Sequence, residues 1–214
     1  MSLKRLICIE GNIASGKSSL VSSLLSINSS NVNAIAEPLE SWQSYGGVNP
    51  LGLMYSDPKI WAFWFQTKVQ IDMVLKHCQL TDGINMMERS IFSARYCFVE
   101  NLRKQDYLSE LEYKALDANF SCFVEKHIIR PDLFIYLQTS PEVCNERLVA
   151  RNRTEERSVS LEYLKSLHDL HEEWLLKNCD YPVQVIDANS DFISVVRSVR
   201  ERLGDTDLRK EMYG

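Results

Sequence analysis

At 214 residues, 45% of them apolar, the chain is long enough for one α/β domain with a filled core. Its 24 basic and 29 acidic side chains leave a formal charge of −5, which weighs against nucleic-acid or membrane-surface binding, since both require basic patches. No apolar run approaches the ~20 residues of a membrane span, and the six cysteines are scattered without a C-x-x-C pair.

Strand-like residues begin at Leu3, with no signal or transit peptide ahead of them, so a cytoplasmic protein with reduced, mostly buried thiols is expected. "LKRLICI" (3–9) reads as a buried strand. It leads into "CIEGNIASGKSSL", whose spacing Gly11-x4-Gly16-Lys17-Ser18 fits a phosphate-binding loop opening a helix over 17–27. "NVNAIAE" (31–37) reads as a second strand, stopped by Pro38, and 40–57, with three glycines and a proline, as a loop with one helical turn at most. Asp57-Pro58 opens a helix to about Cys78, with Asp57 as its cap. "INMMERS" (84–90) is a third strand running into an exposed turn, followed by helices over 91–104 and 109–127. "DLFIYLQ" (132–138) and "PVQVID" (182–187) are the remaining strands, separated by helices at 141–151 and 160–177, and a last helix starts at 191. Such alternation predicts a five-stranded parallel sheet flanked by helices on both faces, with ligands beyond the carboxyl ends of the strands.

That rule ranks the polar residues. The loop residues Gly11, Asn12, Ile13, Ala14, Ser15 and Gly16, with Lys17, Ser18 and Ser19, make an anion cradle from backbone N–H groups, a helix dipole and an ammonium, and the Ser18 hydroxyl suits Mg²⁺. Glu37, Glu88 and Arg89 end strands two and three on the same edge, with Trp42 placed to roof a flat ligand. Asp132 begins its strand at the opposite edge and is expected to be structural. On the helix from 58, Gln66 shares a face with Val69, Gln70 and Met73, beside Phe65; a buried unpaired amide costs ~1–3 kcal/mol, so it requires a partner. Its acceptor and donors could read the pairing edge of thymine in one orientation and of cytosine in the other. Arg147 and Arg151 lie one turn apart, with Arg153 just beyond; they read either as a mobile basic lid over phosphates or as a solvated face with Glu partners. His168 and His171 lack metal-ligand spacing and read as helix-face residues.

In this order the segments "GNIASGKSS", "EPLESW", "NPLGLMY", "FQTKVQ", "ERSIFSARYCFVENL", "IYLQTSPEVC" and "RNRTEERSVSLEYLKSLHDLHEEWL" resemble the deoxynucleoside kinase family, and within it the thymidine and multisubstrate branch. The resemblance runs from about Arg5 to Asp187. It implies a phosphate-loop kinase, one domain over 1–214 with a lid at about 147–158, that moves the γ-phosphate of ATP, with Mg²⁺, to a deoxynucleoside 5′-hydroxyl. It implies Glu37 as general base, Arg89 as the arginine steadying that carboxylate and the phosphate, and Glu88 near Mg²⁺. Gln66 would read the base, with Trp42, Phe65 and Phe98 lining its slot. Val69, Met73 and Ala94 would leave room for the thymine methyl, favouring thymidine and deoxycytidine over purines. Tyr55 and Glu156 would hold the 3′-hydroxyl, and Arg147, Arg151 and Arg153 the donor phosphates. A homodimer follows from resemblance alone. Lys68 where relatives usually carry tyrosine, Asn119 for tryptophan and Ser18 for threonine depart from the pattern. A thymidylate-type kinase and a non-catalytic family member remain as alternatives.

Overall fold

The computed structural model describes residues 4–25, 32–125 and 129–203. In chain order these form β1 (Lys4–Glu10), α1 (Lys17–Leu25), β2 (Val32–Ile35), α2 (Leu39–Gln43), α3 (Pro50–Ser56), α4 (Pro58–His77) and β3 (Gly83–Glu88). Then come α5 (Ile91–Ser93), a π-helical stretch Ala94–Val99, α6 (Glu100–Lys104), α7 (Glu110–Glu125), β4 (Leu133–Gln138) and α8 (Pro141–Arg151). A 3-10 turn Thr154–Ser158, α9 (Leu161–Glu172), a second π stretch Glu173–Lys177, β5 (Val183–Asp187) and α10 (Phe192–Leu203) complete the order. Among the described residues the five strands are parallel and run β2-β3-β1-β4-β5. The expected fold is therefore the one observed. Because the connection leaving β1 runs toward β2 while those leaving its neighbours β3 and β4 run the other way, a crevice opens at the carboxyl end of β1.

Alternation along the strands splits the core in two. Leu6 and Cys8 of β1 join Met87, Phe134 and Tyr136 beneath α4, α7 and α9. Ile7 and Ile9 join Met86, Ile135 and Leu137 beneath α1 and α10. On the first face Phe92 meets Phe120, Phe134 and Tyr181 edge-on, at centroid distances of 5.3, 5.6 and 5.5 Å, and stacks on Trp174. This cluster anchors the helix that follows β3.

Several expectations need correction. The stretch 40–57 holds two short helices rather than one turn. Asn49 explains α3: its side chain accepts from the Gly52 N–H at 2.9 Å, and Pro50 starts the helix with a preset φ. Asp57 does sit at the cap of α4, yet its side chain makes no capping hydrogen bond. The helix 91–104 is interrupted by a wide π turn and the helix 160–177 ends in one. The expected ends at 27 and 127 lie outside the described residues. Three of the six cysteines are buried (Cys8, Cys97 and Cys144), so the thiols are less buried than expected, and all six are free. His171 is not on an open face: it is fully buried, stacks on Tyr136, and burial pushes it down to about 3.

Asp132 keeps its structural assignment. Its carboxylate accepts from the Leu6 N–H at 2.7 Å while its own N–H donates to the Leu6 carbonyl at 2.8 Å, locking β4 to β1 at the edge away from the crevice. Replacing Asp132 with Ala orphans the Leu6 amide and should cost about 1–3 kcal/mol, lowering Tm by several degrees. Thermal denaturation beside a kcat measurement checks this, since turnover should be unchanged.

Candidate active site

At the end of β1 the backbone must turn sharply into α1, and two positions there accept only glycine without strain. Gly11 has φ +147°, and a Cβ on it would meet the Leu137 carbonyl and Ser15 Oγ at 2.8 Å; Gly16 has φ +102°. Asn12 fastens the loop by donating to the Leu164 carbonyl of α9 at 2.8 Å while accepting from the Ile13 N–H at 2.8 Å. The Lys17 ammonium donates to the carbonyls of Gly11 and Asn12 at 3.0 and 2.6 Å. Burial, reinforced by the nearby Arg89 guanidinium, pushes Lys17 down to about 7.

Two further strand ends meet this loop. Glu88, the last residue of β3, accepts from Ser18 Oγ at 2.5 Å. Arg89 follows in a left-handed conformation, φ +60°, held by its N–H on the Ile9 carbonyl at 2.9 Å. That turn aims the guanidinium back into the crevice. Its Nε pairs with Glu37 at 3.0 Å, its Nη1 donates to the Gly11 carbonyl at 3.1 Å, and it lies 4.8 Å from the Phe98 ring centre. Burial lifts Glu37 above the ordinary carboxylate range; Arg89 opposes the rise and Glu88 adds to it. A carboxylate so placed is a stronger base than a solvated one.

One cavity of about 640 Å³ connects these groups to an apolar slot. Trp42 and Phe65, edge to face at 5.9 Å, form one wall, and Val69, Met73, Ala94 and Phe98 line the rest. Ala94 and Phe98, four residues apart on the π-helical stretch, both line this slot. Gln66 is buried there with its Oε1 lacking any hydrogen-bond partner among the described residues. Tyr55, edge-on to Tyr163, and Glu156 border the same space.

At the other end Arg147, Arg151 and Arg153 all border the cavity. Arg151 and Arg153 pair with Glu156 at 2.5 and 3.5 Å, and Arg147 donates weakly to the carbonyls of Ser15 and Ser190. The arginines thus border the crevice, and two of them have a Glu partner. Asn49 and Gln43 reach across to Glu155, tying the 3-10 turn to α2 and α3.

Ser15, Gly16, Lys17, Ser18 and Ser19, with Ile13 and Ala14, border the cavity as expected, whereas Gly11 and Asn12 lie behind its wall. Sequence reasoning missed Glu10, a fully buried carboxyl that accepts from Ser90 Oγ at 2.5 Å and is pushed up by burial to about 7. It also missed Ala188, Ser190, Asp191, Phe192 and Val195, which border the cavity beside the loop; the signal available was their place just after a strand end. Ser18 and Glu88 form an oxygen-only donor pair, which fits Mg²⁺, an ion that takes one or two protein oxygens and completes its shell with phosphate and water.

A polyphosphate bound at the loop restores the favourable charge to Lys17. At about pH 8.5 binding of inorganic tripolyphosphate should therefore take up roughly one proton, and less at about pH 6. Calorimetry in buffers of different ionisation enthalpy measures this; no uptake at the higher pH would contradict the Lys17 assignment.

Comparison with known proteins gives one consistent answer. Residues 7–206 match the deoxynucleoside kinase family. The chain is 43% identical over 181 residues to the mitochondrial thymidine kinase 2 of Macaca fascicularis, covering 84% of this chain and 68% of that protein. It is 39% identical over 198 residues to a probable deoxycytidine kinase of fowlpox virus, covering 87% and 80%. It is 35% identical over 227 aligned positions to the mitochondrial deoxyguanosine kinase of Xenopus laevis, covering 90% and 84%. With a parallel sheet, a phosphate loop and an extent of match that leaves out only the chain's ends, the protein belongs to the deoxynucleoside kinase family.

Proposed function

We propose that this kinase transfers the γ-phosphoryl group of ATP to the 5′-hydroxyl of thymidine and deoxycytidine, acting as one domain over 1–214 with the segment at about 147–158 as its lid. The observation that carries this reading is the Glu37–Arg89 pair, 3.0 Å apart, standing between the phosphate loop and an apolar slot that contains an unpaired glutamine oxygen.

In this mechanism the loop amides and Lys17 bind the donor phosphates, and Arg147, Arg151 and Arg153 close over them. Mg²⁺, held by Ser18 and Glu88, would neutralise charge on the phosphate oxygens. Glu37 takes the proton from the 5′-hydroxyl while Arg89 fixes the carboxylate and offsets charge on the moving group. Gln66 offers its free oxygen to an N–H on the base edge, and amide rotation matches thymine or cytosine. Tyr55 and Glu156 hold the 3′-hydroxyl. Val69, Met73 and Ala94 put no charge beside the slot, which suits a 5-methyl group. Phe192, just beyond β5, offers an apolar ring where the donor base would lie.

A nucleoside monophosphate kinase is the second reading. It requires cations at the acceptor's 5′ end, where this cavity has the carboxylate of Glu37. Offering thymidine and thymidylate side by side separates the two.

A homodimer is part of the proposal: Ile60, Trp64, Ile71 and Leu75 form an exposed apolar stripe along α4. Sedimentation at micromolar concentration tests it. No helix among the described residues is long and apolar enough to cross a membrane. The six free thiols suit a reducing compartment; the cytoplasm is the proposed one, and cell fractionation would distinguish it from mitochondria.

Changing Glu37 to Gln should lower kcat by ~10²–10⁴ and leave nucleoside KM within a few-fold. Near-normal turnover would remove Glu37 from the mechanism. Compared across the four deoxynucleosides, kcat/KM should be highest for thymidine and deoxycytidine; a preference for deoxyguanosine refutes the assignment. Introducing charge by Met73→Arg should suppress thymidine use more than deoxycytidine use, measured as the ratio of the two kcat/KM values.

A further inference from the structure

Behind the slot lies a group the mechanism above does not use. Asp72 sits on the long helix α4, half-buried, and its Oδ2 is the meeting point of three donors. Trp42 Nε1 lies 2.9 Å away, Ser41 Oγ 2.9 Å and Lys68 Nζ 2.6 Å. The Ser41 hydroxyl has one proton and is also 3.0 Å from the Pro38 carbonyl, so its contribution is shared. The indole N–H has no such alternative.

We infer that Asp72 is a positioning residue for the nucleoside slot, fixing the Trp42 ring so that the slot is formed before the base enters; this rests on the reading of that slot as the base site. Helix α2, which carries Trp42, is only five residues long, and its N-cap Pro38 gives no side-chain cap. A helix this short has little stability of its own, so its contacts decide where it sits. Toward the slot Trp42 has the edge contact with Phe65, which can slide. On the other side it has the directional, charge-assisted bond to Asp72. The helix α4 that presents Asp72 also presents Phe65, Gln66, Val69 and Met73 to the slot, so wall and floor are referenced to one rigid element.

Lys68 belongs to the same device. A generic i,i+4 ion pair on a helix would be solvated and weak. This one is largely shielded, with side-chain exposures of 15% and 12%, and the ammonium also lies 4.9 Å from the Tyr45 ring centre. It sets a positive charge beside the same carboxylate oxygen that holds Trp42. The departure from tyrosine at position 68 thereby has a physical partner in the acid one turn later.

The test is a double-mutant cycle on steady-state constants of the full chain with thymidine and ATP. Asp72→Ala should raise nucleoside KM about tenfold, the size of one charge-assisted hydrogen bond, with kcat within threefold and the KM for ATP unchanged. Asp72→Asn, which keeps an acceptor for the indole, should recover most of that loss. In a Trp42→Phe background, which has no indole N–H, Asp72→Ala should add less than about twofold to KM. Additive effects in the two backgrounds, or a fall in kcat with KM unchanged, overturn the inference. If Asp72→Ala does not fold, Asp72→Asn carries the cycle, with a smaller rise in KM that must again vanish beside Trp42→Phe. The outcomes also separate the two levels of the argument. If Trp42→Phe leaves nucleoside KM unchanged, the base-slot reading falls; if it raises KM while Asp72→Ala does not, only the role of Asp72 falls.

Discussion

The Arg89 guanidinium joins the strand ends that build the cleft, pairing with Glu37 beyond β2 and donating to the Gly11 carbonyl beyond β1 from its own place beyond β3. Burying such an ion pair brings little net stability, because the desolvation of both groups consumes much of the Coulombic gain. What it does bring is a fixed relation between the phosphate loop and the acceptor side. The left-handed backbone at Arg89, uncommon for a residue with a Cβ, persists because the Ile9 carbonyl and the neighbouring helix start hold it on both sides. Ser90 caps that helix and donates to the buried Glu10, so the strained turn is tied to β1 a second time.

Around this junction the two faces of the sheet have different tasks. The face under α1 and α10 is thin and apolar, and it presents the phosphate loop and the β5–α10 connection to the donor end. The other face is thick. Helices α4, α7 and α9 stand away from the sheet on an aromatic layer, and the space they enclose becomes the apolar slot. The π turn at Ala94–Val99 is placed where that slot needs both a small side chain and an aromatic one. In the proposed reaction the division is functional: one face holds charge in place, the other excludes water from the acceptor.

Much of this was legible in the chain. The loop from Gly11 to Ser18 is a local motif, and its conformation depends on glycines that nothing else replaces. Glu37, Glu88 and Arg89 were found because a parallel sheet sends strand ends to one edge. Other features were hidden. The glycines and proline of 40–57 read as loop, yet the Asn49 cap and the Pro50 start outweigh them in α3. Asp72 carries no sequence signal of its role, since nothing in the chain order shows that Ser41 and Trp42 arrive beside it. Glu10 gives no sign in the sequence of being enclosed, and only packing on every side makes it a buried acid.

The sequence by itself determined the alternation of strands and helices, the anion loop and the order in which the charged residues leave the sheet. These follow from periodicity, backbone sterics and the handedness of crossovers, all of which act over short stretches of chain. The tertiary structure alone decided that Lys17 loses basicity and Glu37 gains it, that Glu156 is shared by two arginines, and that Trp42 is held from α4. Each depends on distances between residues far apart in the chain and on how much water remains between them, and neither quantity exists until the helices have packed.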